Sequence, residues 1–280
     1  GGLATRGYSI PNREAKIISV NTDPESFDVS YPVSVKVLGD AKLTLEAIVE
    51  QLAGDSVTPQ AGEWAEAAKK RVNEWREEVA RVTQALPDGA PLSPYQVIAA
   101  MSPYNQEITL VADTGYMAAW TGVLYPTVRP HSYFRAIGSL GWAFPASLGV
   151  QLARKEKVVC VTGDGGLGYH LADIETAVRH KIPVIVVVLN NSGLVFEYHE
   201  QKYRHNGRVI PEANNLSDVD YSAVARGLGA NATQVRTRSE FDDAFKQALD
   251  RDEPTVLDVI VDREAFPPVT NFERVLERKI

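Results

Sequence analysis

At 280 residues the chain suits one large or two ordinary domains, and a hydrophobic content of 44% is enough for a packed core. A net charge of −7 argues against nonspecific nucleic-acid binding, and the single cysteine, Cys160, rules out a disulfide framework and reads as buried filler in an apolar strand. The sequence carries no secretory signal pattern, no apolar run of membrane-spanning length and no internal repeat, so the cytoplasm is the expected compartment.

Residues 1–13 read as loop without a starting methionine. Ala15 to Val20 reads as a strand that turns at Asn21-Thr22-Asp23-Pro24, and Val33 to Leu38 as another. Gly39-Asp40 opens a helix from Ala41 to Leu52, with Leu45, Ile48, Val49 and Leu52 on one face. Residues 54–62 are polar loop, and Trp64 to Ala85 is a charged helix expected to pack at a domain boundary. Pro87-Asp88-Gly89-Ala90-Pro91 ends it. These features divide the chain into residues 1–55, a linker helix over 56–90, and a main domain over 91–280 with a C-terminal tail.

In the main domain, Tyr95 to Met101 reads as helix and Ile108 to Asp113 as a strand stopping at Thr114-Gly115. A short strand, Tyr133 to Ala136, leads through Gly138-Ser139-Leu140-Gly141 into a helix from Ala146 to Ala153. Lys157 to Thr162 is an apolar strand that runs into Gly163-Asp164-Gly165-Gly166-Leu167-Gly168. A helix over Tyr169 to His180 and a strand over Val184 to Leu189 complete a βαβ unit, which stops at Asn190-Asn191-Ser192-Gly193. A mostly polar loop to about Asp218 precedes a helix at Tyr221 to Gly227, a strand at Ala232 to Val235, a helix from Glu240 to Asp250 and a last strand from Thr255 to Val261. Alternating strands and helices predict an α/β fold with a doubly wound parallel sheet. Asp113, Gly138, Asp164 and Asn191 all fall at strand ends, where such sheets bind ligands.

Residues 163–168 match the dinucleotide fingerprint G-x-G-x-x-G literally. That fingerprint also wants an acid at the end of the next strand, and here stand Asn190-Asn191, with no acid before Glu197. Asp164 would repel a pyrophosphate unless a divalent cation lay between them. Asp164 and Asn191 offer the hard oxygens that suit Mg²⁺. The loop therefore reads as a metal-diphosphate site rather than a nicotinamide site.

Gly163-Asp164-Gly165 followed by Asn190-Asn191, with Asp164 and Asn191 27 positions apart, resembles the thiamine diphosphate motif of the acetolactate synthase and benzoylformate decarboxylase superfamily. The resemblance implies thiamine diphosphate and Mg²⁺ as cofactors. Asp164, the Asn191 side chain and the Gly193 carbonyl would be metal ligands, and the amides of Gly165 and Gly166 would face the diphosphate. Gly138 to Pro145 resembles the family's "GGLGFALP" and "GTMGFGLP" stretches. By that match Leu140 is the wedge that bends the cofactor, the Gly138 carbonyl accepts from its amine, and Ser139 lines the turn. Asp113-Thr114-Gly115 is similar to "SDVG", which adds Gly115 to the cofactor contacts with Gly163. Ile17 to Pro24 and Gly39 to Lys42 are similar to the closing third of the family's middle domain.

Tyr116-Met117 stands where acetolactate synthases carry Gln-His, and their "GMV" is absent after Asn191. His199 and His205, in a stretch expected to line or cover the site, are candidate proton carriers, with exposed loop histidines as the ordinary alternative; His170 faces either the diphosphate or solvent. The resemblance covers about half of such an enzyme. It implies that a chain or segment carrying the pyrimidine-binding domain supplies the activating glutamate, either as a separate subunit or as the remainder of a cut chain. It also implies a homo- or hetero-oligomer of two or four assembled units. FAD, which some of these enzymes bind, gains no support from these residues. The expected function is that of the cofactor-binding half of a carboligase or decarboxylase acting on a 2-keto acid, acetolactate synthase-like or benzoylformate decarboxylase-like. A non-catalytic partner chain and an NAD-binding oxidoreductase are the alternatives.

Overall fold

The computed structural model describes residues 12, 14–29, 31–54, 62–89 and 91–268. Most of the loop expected over 1–13, the centre of the polar loop over 54–62, Ala90 and the tail from 269 onward lie outside the described residues. Two compact units are present, Gly1–Trp75 and Arg76–Ile280.

In the first unit, β1 (Ile18–Asn21) and β2 (Val35–Leu38) form a two-stranded parallel sheet, with Ile18 opposite Val35. Asp40 accepts a 3.0 Å hydrogen bond from the Leu43 N–H and so caps α1 (Ala41–Gly54). The apolar stripe Leu45, Ile48, Val49 and Leu52 forms at the expected spacing but is exposed, Val49 by 65%. The charged helix α2 (Gly62–Ala85) likewise buries none of its residues.

The second unit carries six parallel strands. They are β3 (Ile108–Ala112), β4 (Tyr133–Arg135), β5 (Lys157–Gly163), β6 (Ile185–Asn190), β7 (Asn231–Val235) and β8 (Thr255–Ile260), in the order β4-β3-β5-β6-β8-β7. Side chains alternate across a strand, so the same strands feed two layers. On one face Leu110, Val159, Val161, Val187 and Leu257 pack with α3 (Pro94–Met101), α4 (Tyr116–Leu124) and α11 (Arg238–Asp250). On the other, Val111, Val158, Cys160, Val186 and Val256 pack with α5 (Ala143–Ala153), α7 (Asp173–Arg179) and α10 (Tyr221–Gly227). Each fully buried valine contributes about 1.5–3 kcal/mol, which explains why these runs are continuously apolar. The sheet is doubly wound, as expected. Among the described residues, no helix is long and apolar enough to cross a membrane.

Strand order reverses between β3 and β5: the chain leaves β3 for β4 on one side and returns to β5 on the other. The crevice at such a reversal is where open α/β sheets take ligands.

Six elements differ from expectation. Residues 169–172 are turns, so the helix expected from Tyr169 begins only at Asp173; the glycine-rich loop itself coils into one helical turn, α6 (Asp164–Gly168). Helix α5 begins at Ala143 rather than Ala146, because Pro145 fits a first turn whose N–H groups need no intrahelical partner. Helix α4 went unrecognised because it is apolar all round and shows no amphipathic period; Tyr116, Met117, Ala118, Trp120 and Thr121 are all buried. The stretch expected as polar loop contains α8 (Val195–Arg204) and α9 (Pro211–Asn214).

Candidate functional site

The carboxyl ends of β3, β5 and β6 converge on two buried carboxylates, Asp113 and Asp164. Asp164 opens α6 and is 2% exposed. Its Oδ1 accepts from the Gly165 N–H at 2.8 Å and its Oδ2 from the Gly193 N–H at 2.9 Å, with further backbone donation from Asn191 and Ser192. The Tyr221 hydroxyl donates to the Asp164 carbonyl at 3.3 Å. Among the described residues Asp164 has no ion pair, and burial outweighs its hydrogen bonds and lifts the carboxyl to about 6. A divalent cation beside it would reverse that shift.

The two asparagines after β6 do different things. Asn190 is a clasp: its Nδ2 donates to the Val219 carbonyl at 3.0 Å and to Asp258 Oδ1 at 2.9 Å, and its Oδ1 accepts from the Ser192 N–H. Asn191 Oδ1 is buried with no hydrogen-bond partner. Leaving such an atom unsatisfied costs about 1–3 kcal/mol, so it marks a place for a ligand. Gly193 sits in an antiparallel bridge with Asn215 that uses the Ser192 carbonyl and the Leu194 N–H, and its own N–H is directed to Asp164. Asp164, Gly165, Asn191 and Gly193 are thus brought together at the ends of β5 and β6.

Gly166 must be glycine: a Cβ there would lie 2.6 Å from both Asp113 Oδ2 and Thr162 Oγ1. Gly115 caps α4 at φ 68°, and the Gly138 N–H donates to Thr114 Oγ1 at 2.9 Å. Ser139 and Leu140 are exposed on the turn that follows. Gly163, the last residue of β5, is half-buried beside Met117. Among the described residues no group of three His, Cys, Asp or Glu side chains could hold a metal ion. A cation here would rely on Asp164, neutral oxygens and the oxygens of its own ligand, a donor set that suits Mg²⁺.

The histidines differ from one another, and His199 departs from expectation. His199 is neither loop nor surface: it lies on α8 and is completely buried. Its Nδ1 pairs with the Tyr116 hydroxyl at 2.9 Å and its ring stacks on Phe266 at 4.0 Å between centroids. Burial lowers its pKa to about 4, so it is neutral near pH 7 and is no ready proton donor there. His205 is the exposed C-cap of α8, roughly 15 Å along the helix from its start. His170 pairs with Asp173 at 3.0 Å.

His199 carries a pH prediction. Its folded pKa lies below the unfolded value of about 6.5, so the unfolded chain takes up the proton first. Stability should fall as pH drops from about 6.5 toward 4, by about 2 kcal/mol at pH 5. Denaturation of wild type and His199→Gln at pH 7 and pH 5 checks this. The variant should lose less stability on acidification; equal losses would mean that His199 titrates normally.

Sequence reasoning placed Asp113 and Asn190 at strand ends without their bonding partners, and it missed Thr162 and Asp258 as parts of this architecture. Thr162 and Asp258 stand out as polar residues within otherwise apolar strands, and both are fully buried and hydrogen-bonded. That exception to the pattern was the available signal.

Residues 113–259 match the family model described as "Thiamine pyrophosphate enzyme, C-terminal TPP binding domain". Among curated proteins, the chain is similar to benzoylformate decarboxylase of Pseudomonas aeruginosa, 30% identical over 88% of this chain and 43% of that protein. It is also similar to the acetolactate synthase large subunit of Haemophilus influenzae, 28% identical over 84% and 41%. Sulfoacetaldehyde acetyltransferase of Castellaniella defragrans is 27% identical over 96% and 48%. The chain spans about half the length of the curated relatives it matches. The X-ray structure of a Mycobacterium smegmatis protein assigned as a thiamin diphosphate-dependent enzyme covers 87% of this chain and 43% of that one, with a TM-score of 0.62; at 24% identity this likeness is one of fold.

Proposed function

The chain belongs to the thiamine pyrophosphate enzyme family through its C-terminal TPP binding domain, and from that premise we propose that it is the diphosphate- and Mg²⁺-binding half of an enzyme that decarboxylates or ligates a 2-keto acid. Residues 91–280 would be the binding domain, 56–90 the linker and 1–55 the end of a middle domain. One observation carries the reading: a buried Asp164 carboxylate, without an ion pair among the described residues, and the unpartnered Asn191 Oδ1 share one end of the sheet.

Asp164, Asn191 Oδ1 and the Gly193 carbonyl would hold Mg²⁺. The Gly166 amide would face the diphosphate, beside Gly115 and Gly163, and the Gly165 amide would do so on leaving Asp164 Oδ1. The turn from Gly138 through Ser139 to Leu140 would meet the rings. Thiamine diphosphate, when bound, supplies the carbon nucleophile and electron sink for breaking the bond beside a keto group. This chain's residues anchor, orient and bend it. Exposed Ile137, Leu140, Trp142 and Tyr169 around the turn, Ile137 by 85%, support a covering domain contributed by another chain or segment in an oligomer.

Titrating the chain with thiamine diphosphate, with and without Mg²⁺, tests the reading by ligand-detected NMR, which registers millimolar binding. Mg²⁺-dependent binding is expected, without binding of NAD. Metal-independent binding of NAD would favour the oxidoreductase reading of the glycine loop.

Leu140→Ala should leave cofactor affinity nearly unchanged, because the diphosphate anchor survives. Loss of the wedge should slow proton loss from the thiazolium carbon roughly tenfold or more. Hydrogen-deuterium exchange at that carbon in the assembled enzyme measures this. An unchanged rate would make Leu140 a packing residue only.

A further inference from the structure

The helix α5 begins without a cap of its own: Trp142, its N-cap residue, makes no side-chain capping bond. The first N–H groups of a helix need partners. Here the partner comes from another strand. Asp113, at the end of β3 and fully buried, accepts from the Gly141 N–H at 3.1 Å with each carboxylate oxygen, and a further backbone bond comes from Ala143. The same carboxylate accepts from the Thr114 N–H and from Thr162 Oγ1, each at 2.9 Å. Among the described residues it has no ion pair; burial raises the carboxyl above the usual carboxylate range, and the backbone and hydroxyl donors and the positive end of α5 oppose that shift.

Asp113 therefore ties three segments of the crevice together: the end of β3, the 138–143 turn, and β5 just before the glycine loop. The fit is tight from both sides. Gly141 has φ 88°, and a Cβ there would lie 2.8 Å from Tyr169 Cβ and 3.1 Å from the Gly166 carbonyl oxygen. The turn is pinned between Asp113 on one side and the glycine loop with the stretch that follows it on the other. None of the bonds that hold Asp164 or Gly193 involves Asp113.

We propose that Asp113 is a positioning residue: it caps α5 from a neighbouring strand and so sets the height of the 138–141 turn, with the Gly138 carbonyl and Leu140 on it, above the diphosphate loop. Its effect falls on the rings of the cofactor and spares the diphosphate anchor. The proposal rests on the functional reading above, and it separates two ligands that the reading alone treats alike, thiamine diphosphate and inorganic pyrophosphate.

The experiment has two arms, run on the full chain. In the first, amide hydrogen exchange is followed without ligand in wild type and Asp113→Ala. Exchange across residues 138–143 should accelerate roughly tenfold or more, with the β6 amides unchanged. No acceleration there would overturn the proposal whether or not the chain binds a cofactor. In the second arm, Mg²⁺-thiamine diphosphate and Mg²⁺-pyrophosphate are titrated against each protein. Asp113→Ala should weaken the first roughly tenfold and the second less than about threefold. Asp113→Asn, which keeps shape and one acceptor oxygen, should recover part of the loss, and it carries both arms if the alanine variant fails to fold. Equal weakening of both ligands, or of neither, would overturn the proposal. A wild-type chain that binds neither ligand would overturn the functional reading, and the exchange arm alone would then decide the role of Asp113.

Discussion

Asp164→Ala and Asn191→Ala are each expected to abolish Mg²⁺-dependent binding of thiamine diphosphate while the fold survives. By the proposed placement the buried Asp164 carboxylate would face the diphosphate, and without a bridging cation two like charges would meet in a buried site. Removing one partner of such an arrangement costs about 3–5 kcal/mol, on the order of 100-fold or more in affinity. The Asn191 substitution removes the oxygen that is otherwise unpartnered, so the metal-free chain loses no hydrogen bond with it. Its circular dichroism and melting should match wild type, which separates a binding defect from a folding one. Binding should also weaken as pH falls through about 6, because the cation needs Asp164 ionised and burial holds that carboxyl at about 6. Ligand titrations on the chain and on the assembled enzyme decide the matter. Near-normal affinity in both variants would refute the metal assignment.

Much of this architecture could be read from short stretches. The valine and isoleucine runs of β5 and β6 are buried on both faces and so advertise a parallel sheet. The glycine loop and the Asn190-Asn191 pair lie at the ends of those two strands, so their adjacency follows from the βαβ unit itself. Helix α8 was hidden for a different reason. The residues on its inner face include His199, which a polarity pattern counts as outward, although it packs on Tyr116 and Phe266. The part played by Asp113 was hidden as well. A carboxylate at a strand end looks alike in sequence whether it faces solvent or caps a helix begun 30 residues later. Division of labour within Asn190-Asn191 depends on Asp258, 68 positions from Asn190, and so only the tertiary structure reveals it.

The pure 280-residue chain is expected to bind thiamine diphosphate weakly and to turn over no 2-keto acid. By the proposed function, activation would need a carboxylate hydrogen-bonded to the pyrimidine ring, in a dry site that tunes its proton transfer. The buried carboxylates at this crevice are otherwise engaged. Asp164 is committed to the proposed cation and Asp113 to the backbone of the 138–143 turn. Asp258 accepts from Asn190, Gln234 and the Tyr221 N–H. Glu264, an exposed carboxylate, is tied to Tyr198 and Lys202. His199, neutral and enclosed, offers no substitute. A chain or segment bearing the pyrimidine-binding domain should therefore restore activity in fixed stoichiometry, with one of its glutamates indispensable, and should raise cofactor affinity by covering the apolar rim around Leu140 and Trp142. Decarboxylation of 2-keto acids such as pyruvate and benzoylformate, assayed for this chain alone and after mixing with that partner, measures the effect. Activation by a factor on the order of 1,000 or more is expected from completing the proton-transfer machinery. Substantial turnover by the pure chain would sink the idea and would require a catalytic carboxylate on one of its own segments.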